Sequence, residues 1–233
     1  MFWLTLCKKW AQIRTEMPSC AVQIDTFAVP RCARHRAFVK DLVGRPLALA
    51  GLIVLSPLFL VIALLVRLSG PGPIIYRRRV VGQYGKLFDA FKFRTMVVDA
   101  DAWLERSEEL QARFSVNHKL PDDPRVTAIG RVLRRYSLDE LPQLVNVVRG
   151  EMWLVGPRMI APEELEKYGP LGPKLMSVKP GLTGLWQVSG RQTTSYAERV
   201  RLDMEYIDNW SVATDVRILL RTLGVVIRAT GAY

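Results

Sequence analysis

Asp139 and Glu140 stand side by side in the stretch 123–143, DPRVTAIGRVLRRYSLDELPQ, with Arg131, Arg134 and Arg135 just upstream. Two signals place this pair at the start of a helix. Ser137 followed three residues later by Glu140 has the spacing of a capping box, while Pro142 suits the first turn of a helix that ends near Gly150. The signals disagree on the first helical residue. Both put the carboxylates at a helix N-terminus, where backbone donors and the helix dipole keep a carboxylate ionised and also favour phosphate. An ionised carboxylate beside several arginines can serve as a phosphoryl-accepting nucleophile, because the cations neutralise the equatorial oxygens of the transition state. Its neighbour could hold a divalent metal. The competing reading is structural: Glu140 caps the helix and the arginines form solvated ion pairs.

A second acidic pair, Asp99 and Asp101, is separated by one residue. In a loop, two such carboxylates could hold a metal against a diphosphate. On a helix, the same spacing points them about 200° apart.

These groups need elements to position them, and the most distinctive element is apolar. Residues 47–66, LALAGLIVLSPLFLVIALLV, carry no charge and end at Arg67. As a straight helix the run would span about 30 Å, the thickness of a bilayer core. The charged residues before it are too many for the n-region of a secretory signal, so the run is expected to stay in the mature protein. Pro57 sits in its middle, removing a backbone donor, and the Ser56 hydroxyl can reach a carbonyl of the preceding turn, so the pair favours a sharp bend. Basic residues flank both ends: Arg31, Arg34, Arg36, Lys40 and Arg45 before, and Arg67, Arg77, Arg78 and Arg79 after. Because positive charge favours the cytoplasm, such symmetry suits a helix that enters and returns on one side. A kinked single-pass helix is the alternative.

Beyond residue 69 the hydropathy is that of one globular domain. A breaker cluster at Gly70-Pro71-Gly72-Pro73 precedes a short strand at Ile74-Ile75-Tyr76, a turn at residues 82–85 and a second strand over 86–95, which together read as a hairpin. Residues 97–114 read as a helix with a charged face. Over 212–229, Arg217, Arg221, Gly224 and Arg228 share one narrow arc, opposite Val216, Leu219, Leu220, Leu223, Val226 and Ile227. That is a cationic amphipathic helix, suited either to a membrane interface or to packing on the domain core.

Composition agrees with this layout. The 233 residues are 49% hydrophobic and 24% charged, which excludes a disordered or collagen-like chain. The net charge of +11 favours anionic partners: nucleic acid, nucleotide phosphates or an acidic membrane face. The three cysteines, Cys7, Cys20 and Cys32, crowd one end, which suits neither a disulfide framework nor a structural zinc site.

From about Lys40 to Tyr233 the chain resembles the bacterial sugar transferase family, the monotopic polyprenyl-phosphate phosphoglycosyl transferases. The resemblance rests on four ordered stretches: LSPLFLVIALLVRLSGPGPIIYRRRVVGQYGKLFDAFKFRTM, DPRVTAIGRVLRRYSLDELPQLVNVVRGEMWLVGPR, KPGLTGLWQVSGR and the ending NWSVATDVRILLRTLGVVIRATGAY. It implies a mostly helical α+β fold with a re-entrant membrane helix broken at Ser56 and Pro57, a small β-hairpin and a C-terminal amphipathic helix. The expected organisation is a variable segment over 1–40, the re-entrant helix over 41–68, a cytosol-facing catalytic domain over 69–210 and the interfacial helix over 211–233.

The resemblance also implies a reaction. Asp139 and Glu140 match the family's Asp-Glu dyad: the aspartate attacks the β-phosphorus of a UDP-sugar, UMP leaves, and undecaprenyl phosphate takes the phosphosugar from the enzyme. Mg²⁺ is the implied cofactor, with Asp139 and Glu140 its contacts. Lys92, Arg94, Arg134, Arg158 in Gly-Pro-Arg and Arg191 in Ser-Gly-Arg are the implied substrate-binding residues, several of them beside glycine or turn residues that let a phosphate approach. The implied partners are the UDP-sugar, the polyprenyl phosphate and membrane lipid, without nucleic acid; a homo-oligomer is compatible. The implied location is the bacterial inner membrane, with the catalytic domain facing the cytoplasm. Residues 184–191, GLWQVSGR, are similar to members that transfer galactose- or glucose-1-phosphate at the start of exopolysaccharide, capsule or O-antigen assembly. Two positions depart from the family pattern: Met159 follows Gly-Pro-Arg where a second proline is usual, and Gly44 stands where many relatives have an acid. Two other classes compete with this reading. A metal-dependent glycosyltransferase would use Asp99 and Asp101 and release UDP. A non-enzymatic membrane or nucleic-acid binding protein would use the basic surface and show steeply salt-dependent binding to nucleic acid, for which the chain carries no recognisable motif.

Overall fold

The computed structural model describes residues 31–100, 102–103, 123–190 and 194–227, with side chains from residue 37 onward. Two compact units divide the chain, Met1–Arg34 and His35–Tyr233, and the second carries everything described below. Residues 1–30, Asp101, Arg191, Arg228 and most of the helix expected over 97–114 lie outside the described residues.

Helix α1 (Arg31–Val54) runs through Leu55 into α2 (Ser56–Leu68), and the two axes are bent by 63°. Pro57 causes the bend, having no N–H to give the carbonyl of Ile53 four residues back. Ser56 Oγ donates to that same carbonyl at 2.7 Å, so the acceptor that Pro57 deprives is not left bare. Among the described residues no single helix is long and apolar enough to cross a membrane, whereas this bent pair has the length and composition when taken together. One side of the pair is packed: Ala48, Leu52 and Leu55 meet Val80, Phe88, Leu144 and Val147, and Ile62 and Val66 meet Phe93 and Leu133. The other side is open and apolar, with Val54 75% and Leu60 73% exposed.

The expected hairpin is present as β1 (Ile75–Val81) and β2 (Leu87–Phe93), paired antiparallel. Its first strand is longer than the hydropathy predicts, because Arg77, Arg78 and Arg79 continue it. Each finds its own neighbour: Arg78 pairs with Glu164 at 2.8 Å, Arg79 with Asp89 at 2.9 Å, and the Arg77 guanidinium lies 5.9 Å from the Phe91 ring. Among the described residues no third strand joins β2. The fully buried Asn146 takes that place, accepting from Phe91 N–H at 3.0 Å and donating to the Asp89 carbonyl at 2.8 Å. A strand edge is thereby sealed by one side chain.

Asn146 belongs to α4 (Gln143–Arg149), which follows α3 (Ala128–Arg135) and a one-turn 3₁₀ segment, Leu138–Glu140. Helix α4 ends on Gly150 in the left-handed conformation, as Pro142 and Gly150 predict. The capping box does not form: Ser137 is itself left-handed (φ 54°) and makes no capping bond, so the dyad occupies a separate tight turn ahead of α4. A second, unexpected sheet joins β3 (Trp153–Val155) and β4 (Gly181–Thr183) in parallel. Helices α5 (Gly172–Met176), α6 (Leu185–Val188), α7 (Tyr196–Asp208) and α8 (Val212–Ile227) complete the described fold, which is mostly helical with two small sheets.

The C-terminal helix packs on the domain core through one side. Ile218 of α8 is buried against Val155 and Tyr206, while Val216, Leu220 and Leu223 form an exposed apolar row beside exposed Arg217 and Arg221. Helix α1 is tied to this end of the domain by Lys40. Its ammonium donates to Tyr206 Oη and Asp215 Oδ2, both at 2.6 Å, and lies 4.8, 5.2 and 5.1 Å from the ring centres of Trp153, Tyr206 and Trp210. Trp210 Nε1 donates to Asp215 Oδ2 at 3.0 Å, so the carboxylate holds both the lysine and the ring above it. The neighbouring Asp41 accepts from Lys179 at 2.7 and 2.8 Å and from Trp153 Nε1 at 3.1 Å.

Candidate active site

The tight turn at Leu138–Glu140 presents its two carboxylates differently. Asp139 is buried, whereas the Glu140 side chain is 33% exposed. Lys92 lies between them: its Nζ donates to Glu140 Oε1 at 2.5 Å and stands 4.0 Å from Asp139 Oδ2. Lys92 reaches this place because strand alternation turns it to the face opposite Phe91, and Asn146 fixes β2 against α4 in that register.

Burial pushes the Asp139 carboxyl up to about 6; Lys92 opposes the rise, Glu140 adds to it, and Arg134 opposes it. Glu140 shows the opposite outcome. Desolvation disfavours its charge, yet the Lys92 ammonium and its hydrogen bond, together with the fields of Arg158 and Arg78, hold the carboxyl below its ordinary value. The turn therefore contains one carboxylate held firmly ionised and one that is ionised at neutral pH and more basic than an ordinary aspartate.

Of the three upstream arginines, only Arg134 turns toward the dyad. Thr127 caps α3 by accepting from Gly130 N–H at 3.0 Å, and Thr127 N–H donates to the Thr95 carbonyl at 3.0 Å, which pins the helix to the end of β2. Arg134 Nε then donates to Thr95 Oγ1 at 2.9 Å, within electrostatic reach of Asp139. Arg131 and Arg135 face outward. Arg94 is placed elsewhere. It is buried at the end of α2, where its guanidinium donates to the carbonyls of Val66 at 3.0 Å, Gly70 at 2.7 Å and Pro71. Those donors close the C-terminus of a helix.

Arg158 approaches from the loop after β3. Its backbone N–H donates to Asp203 Oδ1 at 3.0 Å, and Tyr168 Oη donates to the other oxygen of Asp203 at 2.7 Å. The Arg158 guanidinium lies 3.9 Å from Glu164 Oε2, a carboxylate it shares with Arg78. Backbone contact also sets the loop: Gly156 N–H donates to Thr183 O and Gly181 N–H to Pro157 O, both at 2.9 Å, with no room for a side chain on either glycine. Met159, which departs from the family pattern, packs against the α1–hairpin cluster.

The structure thus brings Asp139, Glu140, Lys92, Arg134 and Arg158 to one place. It adds Arg78, Glu164, Asp203 and Arg199, which single-residue motifs did not point to. Strand alternation through the Arg77–Arg79 run was the available signal for Arg78. Asp99 is exposed, at a turn, and its partner Asp101 lies outside the described residues, as does Arg191. Among the described residues no three histidine, cysteine, aspartate or glutamate side chains converge as a metal cage. Two adjacent carboxylates without a third suit Mg²⁺, which usually binds one or two carboxylates and takes its other ligands from phosphate and water.

A family profile described as bacterial sugar transferase matches residues 35–229. The chain belongs to the bacterial sugar transferase family. This bears out the resemblance carried by the four sequence stretches. The chain is 45% identical over 191 residues to the exopolysaccharide production protein ExoY of Sinorhizobium fredii, covering 80% of this chain and 84% of that protein. It is 43% identical over 204 residues to the undecaprenyl-phosphate galactose phosphotransferase of Salmonella typhimurium, covering 86% of this chain and 43% of that longer protein. Over 209 residues it is 46% identical to the UDP-galactose-lipid carrier transferase of Erwinia amylovora, with 86% and 43% covered. The sugar transferase family thus accounts for the unit that contains the dyad.

Proposed function

We propose that this chain is a phosphoglycosyl transferase that moves hexose-1-phosphate, galactose or glucose, from a UDP-sugar to undecaprenyl phosphate at the start of exopolysaccharide, capsule or O-antigen assembly. The observation that carries the reading is Asp139: a buried carboxylate, raised to about 6 by its burial, flanked by Lys92 and Arg134 in a chain of this family. Ionised at neutral pH and poorly solvated, it has the properties of a nucleophile toward phosphorus. In the first step an Asp139 oxygen bonds to the β-phosphorus, the bond from that phosphorus to the bridging oxygen breaks, and UMP leaves with the electron pair. In the second step a phosphate oxygen of the lipid attacks the same phosphorus and Asp139 departs. Lys92 and Arg134 offset the charge of the transferring phosphoryl oxygens, and Glu140 stays ionised throughout.

Mg²⁺ held by Asp139 and Glu140 would neutralise part of the diphosphate charge. We assign Arg94 to closing α2 rather than to substrate.

The same reading places the enzyme on the cytoplasmic side of the inner membrane. Its support is the bent pair α1–α2 with its open apolar side, together with the exposed apolar row of α8. A re-entrant helix and an interfacial helix would hold the dyad where a soluble nucleotide meets a lipid phosphate.

The test is nucleotide release by purified protein in lipid, with UDP-galactose or UDP-glucose, Mg²⁺ and undecaprenyl phosphate, comparing the wild type with Asp139→Asn. The expected result is UMP release and a covalent phosphosugar adduct in the wild type, both lost in the variant. Turnover by Asp139→Asn sinks the nucleophile assignment, and release of UDP sinks the reaction class.

A further inference from the structure

Asp203 is a buried carboxylate that the reaction proposed above does not use. It stands within α7, only 1% exposed, and bridges two other parts of the fold. Its Oδ1 accepts from the Arg158 N–H at 3.0 Å, and its Oδ2 accepts from Tyr168 Oη at 2.7 Å. Tyr168 belongs to the 3₁₀ segment Pro162–Leu171 and is 2% exposed in a cluster with Val81, Ile160, Leu175 and Met204, so its hydroxyl is a fixed donor. A carboxylate in such a place is costly. Burial raises it to about 6 in spite of both hydrogen bonds and the nearby charges of Arg158 and Arg199. A buried acid contributes little net stability, and what it supplies instead is a defined position for the groups that bond to it.

The loop that carries Arg158 shows what is positioned. Gly156 N–H donates to Thr183 O, Gly181 N–H to Pro157 O and Val81 N–H to Ile160 O, all at 2.9 Å, so main-chain bonds tie the loop on both sides of Arg158. The tie at the Arg158 N–H comes from the side chain of Asp203. Further out, the guanidinium lies 3.9 Å from Glu164 Oε2, with its Cζ 4.6 Å from the centre of the Trp186 ring. These two contacts set the direction of the side chain, and Asp203 sets its origin. The field of the cation reaches Glu140, which places it beside the dyad. In an enzyme site a misplacement of about 1 Å can cost about a hundredfold.

We propose that Asp203 is a positioning residue: accepting the Arg158 N–H and held in turn by Tyr168, it fixes the main chain from which the Arg158 guanidinium reaches the diphosphate of the UDP-sugar. This rests on the reading under Proposed function. Asp203 itself touches no substrate and acts through Arg158. Its effect is therefore on binding of the donor, and it disappears when the guanidinium is absent.

The test uses the full-length protein in lipid, with the KM for the UDP-sugar and kcat measured separately and folding checked by thermal melting. Asp203→Leu removes the acceptor of the Arg158 N–H and is expected to raise the KM about tenfold, with kcat changed less. Tyr168→Phe keeps the carboxylate but takes away the donor that orients it, and should raise the KM about threefold. Asp203→Asn retains a carbonyl oxygen for the Arg158 N–H and should stay within about twofold of wild type. Arg158→Ala provides the deciding background: it should raise the KM by itself, and adding Asp203→Leu should raise it no further, because the group being positioned is gone. A further rise in that background shows a merely structural role and overturns the proposal. So does a fall in kcat with the KM unchanged, an Asp203→Asn variant as impaired as Asp203→Leu, or an Arg158→Ala variant with the wild-type KM. Where Asp203→Leu does not fold, Tyr168→Phe decides, and an unchanged KM in that variant overturns the proposal. A wild type that releases no UMP defeats the underlying reaction instead, so the two failures are distinguishable.

Discussion

Replacing Lys40 by methionine tests whether α1 is fastened to the domain by a buried ion pair. The Lys40 and Asp215 side chains are 6% and 15% exposed, and their 2.6 Å contact is one of two that the ammonium makes. Removing one member of a buried pair costs about 3–5 kcal/mol, because the other charge stays behind unpaired. Asp215 keeps two donors, Tyr206 Oη at 2.6 Å and Trp210 Nε1 at 3.0 Å, which pulls the expectation to the lower end. The methionine sulfur also replaces part of the attraction between the ammonium and the three rings. The expected loss is about 3 kcal/mol, or roughly 6–12 °C in melting temperature for a unit of this size. Thermal unfolding in lipid nanodiscs of Lys40→Met, Asp215→Asn and the double variant measures it. The double variant should lose clearly less than the two single losses combined, since the second change no longer strands a charge. Single losses below about 1 kcal/mol, or strictly additive losses, would refute the reasoning.

Asp203 provides a pH-dependent prediction. Burial raises its carboxyl from 3.8 to about 6, so its contribution to stability is present below pH 4 and is lost as pH rises through 6, by up to about 3 kcal/mol. Asp203→Asn should flatten the stability profile between pH 4 and 6 in denaturant titrations, and superimposable profiles would show that the group is not strained. Pro57→Ala restores the N–H that Ile53 lacks and should straighten α1 into α2, favouring a span. Cysteine labelling from each side that still finds both ends cytoplasmic would contradict this. A methyl at Gly130 would run into the Thr95 carbonyl, a backbone atom that cannot move aside. Gly130→Ala should therefore lower stability by about 1–3 kcal/mol and displace Arg134, and an unchanged melting temperature and UMP-release rate would count against that packing.

The elements easiest to read from sequence were those whose cause is local. Ser56 and Pro57 dictate a bend through one missing donor and one available hydroxyl. The turn between β1 and β2 and the arc of α8 follow from composition and period. The capping box at Ser137 was misleading because it competed with Pro142 and Gly150, and packing of the dyad turn against β2 favoured the latter pair. The parallel pairing of β3 and β4 could not be read because each strand is only three residues long, too short to show an alternation. Within the site, Asp139 and Glu140 were legible as adjacent acids among arginines. Arg94 looked equivalent to Lys92, and only the position of the α2 terminus, set by tertiary packing, separates a helix-closing arginine from a site lysine. The meeting of Arg199 and Trp186 with Arg158 is encoded by no spacing along the chain.

The hydroxyl at the bend has a consequence for where the bend can reside. A proline kink ordinarily strands a carbonyl that water must satisfy, which confines it to wet surroundings or to a protein-lined cavity. Ser56 does for Ile53 what a water molecule would do, at 2.7 Å and from within the same turn. The Ile53 carbonyl is consequently solvated from within the chain, and its own contribution changes little between an aqueous and a hydrocarbon medium. On the membrane placement proposed above, immersion depth would be set by the apolar side chains and the flanking arginines, and the carbonyl freed by Pro57 would ask for no water at any depth.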